Sequence, residues 1–126
     1  MTLNTRGLEQ ATAAKLKHLI AGPRFDPVAW GEIIADDMHL RIGNAAPVIG
    51  RDSALAELGR FFARIDSLAA GFYDMWRRRE TVYVELEVEF TDATGRKRRI
   101  PCAIVARAAD GILLDLRFHL DPSLIP

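Results

Sequence analysis

The strictest pattern in the chain is the alternation of hydrophobic and polar residues in Thr81–Thr91, which reads T-V-Y-V-E-L-E-V-E-F-T. A period of two places successive side chains on opposite faces of a strand. The segment is therefore predicted to be a strand with one buried and one solvent-facing side. The buried set is Val82, Val84, Leu86, Val88 and Phe90, and the outer set is Tyr83, Glu85, Glu87 and Glu89.

Four other segments show weaker strand patterns and are separated by turn residues. They cover residues 38–42, 72–76, 96–108 and 112–121. Gly95 and the Asp110-Gly111 pair are typical of the tight turns that join antiparallel strands. The last four strands are therefore predicted to form an antiparallel meander.

Three segments before the meander have the spacing of amphipathic helices. The first covers residues 3–21, where Leu8 begins the apolar set. The second is predicted to start at Asp26-Pro27, an N-cap followed by a proline in the first turn, and to end near residues 36–37. The third covers residues 51–66, with a stripe of leucine, phenylalanine and isoleucine on one side.

Three helices followed by a meander predict an α+β fold in two layers, with the sheet covering the helices on one face. A length of 126 residues is enough for one domain with its own core, so residues 1–126 are expected to form a single domain. The 17 basic and 17 acidic side chains balance, which gives no overall field for nucleic acid or an anionic membrane. Neither partner is expected.

Cys102 is the one cysteine, so no internal disulfide can form. The sequence has no CxxC motif and no Cys/His cluster with metal-binding spacing, so neither a metal nor a cofactor is predicted. We find no apolar signal segment at the N-terminus and no run of about 18 apolar residues for a membrane span. A reducing, cytoplasmic location is therefore expected.

Taking the even-numbered strand residues as inward-facing predicts which side chains line the core or a cavity. Asp74 falls among them, with Asn44 at the end of the first strand. Burial would raise the pKa of the Asp74 carboxyl, as a general acid or base working near neutrality requires, whereas a place at the cavity mouth would leave it solvated. Asn44 could bind a ligand carbonyl or hydroxyl, or simply form a turn beside Gly43. The apolar set is Met38, Leu40, Ile42, Phe72, Trp76, Val84, Leu86, Val88, Ile100, Cys102, Ile104, Leu116, Phe118 and Leu120.

Other candidate residues are aromatic or lie near the C-terminus. Trp30, Tyr73 and Trp76 could line a pocket for a ring system, although buried aromatic residues are first of all core residues. Cys102 faces inward without a histidine at recognisable spacing, which favours an inert thiol. His119 and Asp121 form an alternative catalytic pair, if the end of the last strand bends toward the cavity.

Four segments follow one another within residues 8–122: I-A-D-D-M-H-L, G-N-A-A-P-V-I-G-R-D, D-M-W-R and A-D-G-I-L-L-D-L-R-F-H-L-D-P. With these segments in this order, the chain resembles the nuclear transport factor 2-like superfamily in its SnoaL-like branch. The resemblance implies a curved, mainly antiparallel sheet cupped over the three helices to form a conical pocket. It also implies a homodimer through the outer sheet face, which a self-complementary mix of charges would suit.

The resemblance does not bring the catalytic residues with it. The acid and base group of limonene epoxide hydrolase would match Leu86, Val88 and Phe118, which are apolar here. The general base of ketosteroid isomerases would match Ile42, and their second acid would fall at residue 103 or 104, which are alanine and isoleucine. The histidine frequent in SnoaL-like cyclases would fall near residue 70, where this chain has alanine.

The outer sheet face is predicted to carry ion pairs. With a bulged turn at Gly95, Lys97 would lie opposite Glu89 and Arg99 opposite Glu87. Such cross-strand pairs contribute roughly 0.2–1 kcal/mol each. Because acidic residues flank the basic runs 77–79 and 96–99, these runs do not predict nucleic-acid binding.

Three functional hypotheses remain open from the sequence. The first is a protein with an apolar pocket that binds or slowly transforms a small hydrophobic molecule of polyketide, terpenoid or steroid type. Asn44 or Asp74 would make the polar contact to this molecule. The residues that would line the pocket are Trp30, Tyr73, Trp76, Leu86, Val88, Cys102 and Phe118. The second is a cofactor-free isomerase, cyclase or hydrolase that uses Asp74 or Asp121. The third is a catalytically inert homodimeric interaction module whose cone is filled by its own side chains.

Overall fold

A computed structural model describes the backbone of residues 5–126 and the side chains of residues 11–126. The predicted helix start at residue 3 and the side chain of Leu8 lie outside the described residues. The helices are α1 (Thr5–Ala21), α2 (Pro27–Glu32) and α3 (Arg51–Ala63), and the strands are β1 (Ile34–Ile42), β2 (Val48–Ile49), β3 (Ser67–Arg78), β4 (Thr81–Thr91), β5 (Lys97–Ala109) and β6 (Ile112–His119). A short 3-10 turn follows at Pro122–Leu124.

The six strands form one curved sheet in the order β2-β1-β6-β5-β4-β3, and the helices cover one of its faces. Neighbouring strands are antiparallel except β1 and β6, which run parallel. The predicted α+β fold is therefore confirmed. The meander β3-β4-β5-β6 follows the predicted chain order, and β1 joins it along β6.

The boundary between α2 and β1 differs from the prediction. Asp26 is the N-cap of α2, and its carboxylate accepts hydrogen bonds of 3.1 Å from the backbone of Val28 and Ala29. The helix ends at Glu32 rather than near residues 36–37, because Ile34 already pairs with Leu113 on β6. Pairing with a neighbouring strand outweighs the local helical pattern there.

The register predicted for β4 is confirmed. The five even-numbered residues from Val82 to Phe90 are at most 2% exposed. Glu85 is exposed, and Glu87 and Glu89 are half-buried on the opposite face. The alternation in the sequence thus assigns the two faces of this strand correctly.

The parity predicted for β3 is wrong beyond Phe72. Phe72 pairs with Leu86 and Asp74 pairs with Glu85, so the extra residue Tyr73 forms a β-bulge. Since directly paired residues share a face, Asp74 lies on the outer face with Glu85. Trp76 follows it to the outer face, where it pairs with Tyr83.

The ladder register predicted across β4 and β5 is shifted, although Nζ of Lys97 still lies 3.6 Å from the Glu89 carboxylate as predicted. Glu89 lies opposite Arg99, and Glu87 lies opposite Pro101. The reason is the turn after Thr91, where the Asp92 carboxylate accepts hydrogen bonds of 2.9 Å and 3.0 Å from the backbone of Thr94 and Arg96. This turn sets the register two residues away from the predicted one.

Candidate functional site

Most of the predicted inward-facing positions form a packed core, whereas Phe72 on β3 is 37% exposed. Leu86, Val88 and Trp30 are 0% exposed, Phe118 is 1% exposed and Cys102 is 3% exposed. A side chain that bordered a chamber large enough for a ligand would present surface to that chamber. Leu86, Val88, Phe118 and Trp30 therefore belong to the packed core, and Cys102 belongs to it as well, although it also borders a depression described below.

Aromatic side chains from α3 fill the space beneath the sheet. The ring of Phe61 meets that of Phe118 edge-on, with centroids 5.5 Å apart. The ring of Phe62 meets Trp30 at 6.1 Å and Phe25 at 5.3 Å. The sequence pattern had indicated Phe62 for the apolar stripe of α3 but not Phe61, which lies one residue away and is 4% exposed.

Trp30 carries one unsatisfied polar atom. Its indole Nε1 is buried and has no hydrogen-bond partner among the described residues. Leaving a buried donor unpaired costs about 1–3 kcal/mol, so such an atom calls for an explanation. It is a polar group within the core to which a ligand acceptor could bind.

The Cys102 thiol has the properties of an unreactive cysteine. Burial raises the pKa of Cys102 to about 12, because a thiolate would be poorly solvated at this position. The thiol is therefore protonated at neutral pH, as a structural cysteine would be.

The outer face of the sheet carries a depression that sequence reasoning did not predict. This outer notch has a volume of about 430 Å³ and lies where β6 ends while β5 continues. Its lining is mostly apolar. The residues that border it are Trp76, Glu85, Pro101, Cys102, Ala103, His119, Leu120 and Asp121.

Two predicted catalytic residues, His119 and Asp121, lie at the outer notch, but Asp121 has a structural task. Its carboxylate accepts a hydrogen bond of 3.0 Å from the Ser123 backbone and caps the 3-10 turn. The Ser123 backbone and hydroxyl hydrogen bonds hold the pKa of Asp121 below its usual range. A general acid needs the opposite shift.

The remaining polar candidates are exposed. Asp74 is solvated on the outer face, and its Oδ1 accepts a hydrogen bond of 2.8 Å from the Met75 backbone. The burial on which its proposed role depended is therefore absent. Tyr73 is 61% exposed, and its hydroxyl donates a hydrogen bond to the Glu87 carboxylate. This hydrogen bond raises the pKa of Tyr73. Asn44 is exposed in the turn after β1.

Two further clefts lie at the edges of the molecule. One, of about 340 Å³, separates α1 from α2 and is lined by Ala14, Lys15, His18, Leu19, Ala29, Glu32 and Ile33. The other, of about 330 Å³, lies at the hairpin that joins β3 to β4. In the described part of the chain, no group of three or more His, Cys, Asp or Glu side chains is arranged to hold a metal ion. No described helix is long and apolar enough to cross a membrane.

The fold and the core define a roll of the nuclear transport factor 2-like class. The family model for the SnoaL-like domain matches residues 19–115, so the chain belongs to the SnoaL-like family. No curated protein matches the chain significantly.

Solved structures share the fold at low identity. A SnoaL-like polyketide cyclase candidate from Jannaschia sp. CCS1 is 16% identical, with a TM-score of 0.77 over 90% of this chain and 88% of that chain. A steroid delta-isomerase from Pseudomonas aeruginosa is 17% identical, with a TM-score of 0.75 over 96% and 85%. A de novo designed protein with a curved β-sheet is 17% identical, with a TM-score of 0.72 over 98% and 90%. These likenesses establish the fold alone, since a designed protein shares it nearly as closely as the cyclase candidate and the isomerase do.

Proposed function

We propose that this protein is a catalytically inert homodimeric interaction module whose cone is filled by its own side chains. The observation that carries the proposal is the 0–3% exposure of Trp30, Leu86, Val88, Cys102 and Phe118. At Leu86, Val88 and Phe118, where the resemblance would place proton-transferring groups, this chain has hydrocarbon side chains that are at most 1% exposed, which supports a filled cone.

The outer sheet face supplies the interaction surface in this proposal. Trp76 is 48% exposed and stacks on Tyr83, with ring centroids 5.6 Å apart. Beside this stack lies the apolar outer notch, with Ala103 between Glu85 and His119 in the ladder. Large exposed aromatic groups at a depression favour a protein interface, and a face that carries both charge signs can pair with its own copy.

The test is the molecular mass of the protein in solution. We expect twice the chain mass by sedimentation equilibrium at micromolar concentration. Ala103→Lys is expected to give a monomer, because it would bury a charge at the centre of the interface. The isolated subunit should tolerate the lysine, because the residue opposite it in the ladder is the acidic Glu85. Ala56→Lys on the exposed side of α3 is the matched control and should stay dimeric. A monomeric wild type, or equal masses for both variants, contradicts the proposal.

A second candidate function is the binding of a small hydrophobic molecule. Two observations favour it: the cleft of about 340 Å³ between α1 and α2, and the unpaired indole Nε1 of Trp30 on α2. Ligand sites typically begin near 300 Å³ and combine an apolar wall with a few polar groups. In this hypothesis α1 moves away from α2, and a ligand carbonyl or hydroxyl accepts the indole proton.

The fluorescence of Trp30 distinguishes the second candidate from the first. In a Trp76→Phe variant, Trp30 is the one tryptophan left in the chain. Saturable changes in its emission on titration with steroids or polyketide-like aromatics would support binding. Native mass spectrometry of the freshly purified protein would reveal a co-purified ligand. The second candidate would be ruled out by two results together. The emission would stay unchanged in every titration, and the native mass would equal that of the chain alone or of its dimer.

The enzymatic alternative rests on His119 and Asp121 at the outer notch and on the exposed Asp74. Acid-base catalysis needs two titratable groups near one point from which water is excluded. An open depression with a carboxylate already engaged in a cap gives this alternative little support. The cytoplasmic location likewise stays a prediction, based on the single free cysteine.

A further inference from the structure

The cleft at the β3-β4 hairpin differs from the rest of the surface in its chemistry. It has a volume of about 330 Å³. Five of its six lining side chains can donate hydrogen bonds, and the sixth is a carboxylate. The lining residues are Arg78, Arg79, Glu80, Thr81, Tyr83 and Arg107.

Among the side chains of residues 11–126, none acts as a counter-ion to the three arginine side chains at this cleft. The other arginine side chains of β5 and β6 are paired, as Arg99 is with Glu89 at 3.2 Å and Arg117 is with Asp115 at 3.0 Å. Within the described residues the guanidinium groups of Arg78, Arg79 and Arg107 make neither an ion pair nor a hydrogen bond. Asp115 lies opposite Arg107 in the ladder but is engaged by Arg117.

The hydroxyl groups at the cleft are also available. Within the same described residues, neither the phenol of Tyr83 nor the hydroxyl of Thr81 has a hydrogen-bond partner. Three guanidinium groups, two hydroxyl groups and a single carboxylate, that of Glu80, thus border one concave space. Such a set can bind a multiply charged oxyanion, because guanidinium groups hold phosphate oxygens in pairs.

The backbone of this hairpin holds Arg79 at the tip in a conformation that is unfavourable for arginine. Arg79 has a φ of 54°, in the left-handed region that favours glycine, asparagine or aspartate. The comparable β5-β6 turn uses Asp110 and Gly111, with φ values of 52° and 82°, which suits that region. Strained residues of this kind concentrate at functional sites.

The tip is also held in place before any ligand arrives. The carbonyl of Glu80 accepts a hydrogen bond of 2.9 Å from the Ala108 backbone on β5. The carbonyl of Arg79 accepts a hydrogen bond of 3.3 Å from Nη1 of Arg77. Because the turn is fixed against β5, Arg78 and Arg79 stay on the same side as Arg107, which reduces the entropy lost on binding.

We propose that this cleft binds the phosphate groups of a small phosphorylated molecule, with Arg79 and Arg107 on either side of the anion and Tyr83 donating from the wall. The charge balance favours a small ligand over an extended polyanion. The chain has a formal net charge of zero, and Glu85 on the same face of β4 would repel a continuing phosphate backbone.

The proposal is tested by titrating the full-length protein with pyrophosphate in about 150 mM salt and following the heat of binding. We expect saturable binding by the wild type, and at least about a tenfold weaker affinity for Arg79→Asn and for Arg107→Gln. Arg96→Gln removes one charge at the turn at the opposite end of β4, roughly 33 Å away, and is expected to bind like the wild type.

The Arg79→Asn variant also separates a binding role from a structural one. Asparagine tolerates the left-handed region better than arginine, so its thermal unfolding temperature should equal or exceed that of the wild type while pyrophosphate binding is lost. Equal affinities for Arg79→Asn and Arg96→Gln would overturn the proposal. So would a single-stranded RNA oligonucleotide that binds without being displaced by pyrophosphate, since that would indicate an extended polyanion surface.

Discussion

The two faces of β4 show how differently one strand can be used. Leu86 is fully buried in the core, whereas Glu85, its neighbour in the chain, is exposed beside the outer notch. On the inner face, Leu86 and Val88, where the resemblance would place acids and bases, are hydrocarbon side chains with 0% exposure. The outer face and its margins contain the outer notch, the cleft at the β3-β4 hairpin and the exposed rings of Trp76 and Tyr73. In this chain, recognition is therefore expected on the convex side of the sheet rather than within the cone.

The largest expected effect of breaking this contrast is on stability. Leu86→Ala should lower the free energy of unfolding by about 2–5 kcal/mol, because it leaves a void in a packed core. Glu85→Ala, one residue away, should change it by less than about 0.5 kcal/mol. Chemical denaturation of both variants measures the difference. If Leu86→Ala were nearly neutral, the cone would already contain empty space, and the ligand-binding hypothesis would gain.

A second prediction compares a buried and an exposed position through thiol chemistry. With a pKa near 12, Cys102 has roughly a thousandfold less thiolate at pH 8 than an ordinary cysteine and is only 3% exposed, so it should react far more slowly with a disulfide reagent. The control is Ala56→Cys in a Cys102→Ala background, which moves the thiol to the exposed side of α3, outside the proposed interface. Similar rates for the two proteins in the native state would mean that the core opens readily at β5.

The third prediction concerns the aromatic pair on the outer face. Trp76 and Tyr83 stack with an interplanar angle of 12°. A double-mutant cycle with Trp76→Ala and Tyr83→Ala should give a coupling free energy of about 0.5–1.5 kcal/mol, smaller than the effect of a core substitution. The cycle is measured in the Ala103→Lys background so that dimer formation does not contribute. A coupling free energy near zero would mean that the stack does not order the rim of the outer notch.

The same contrast explains how much could be predicted from the sequence. The two faces of β4 follow from the alternation alone, because an error of one residue would bury Glu85, Glu87 and Glu89 in the core. The N-cap at Asp26 follows from local chemistry in the same way. Both features depend on residues within a few positions of each other, which is the range that a sequence pattern covers.

The misassigned positions depend on events that local patterns do not encode. Asp74 and Trp76 were assigned inward because nothing in the sequence marks Tyr73 as the extra residue of a bulge. The outer notch arises because β6 ends before β5, which is a property of two strands together. Closure of the cone depends on how Phe61 and Phe118 fill space, and the sequence could not distinguish a filled cone from an open one.

The smallest expected effect is an acid-dependent loss of stability at the edge of the outer face. The Asp66 carboxylate accepts hydrogen bonds from Oγ1 of Thr91 at 2.8 Å and from Nζ of Lys97 at 3.1 Å, and these contacts hold the pKa of Asp66 below its usual range. Because the pKa is lower in the folded state, the stabilisation is present above the ordinary aspartate pKa near 4 and is lost as the pH falls through the lowered value. The groups are largely solvated, so the contribution is expected to be below about 1 kcal/mol.

The test is denaturation between pH 7 and pH 2.5. The free energy of unfolding should fall less steeply toward acid pH for Asp66→Asn than for Asp37→Asn, a charge-matched change at an exposed position on β1. Identical slopes would show that the link between β5 and the end of α3 contributes nothing, and that the outer face is stabilised by its backbone ladder alone.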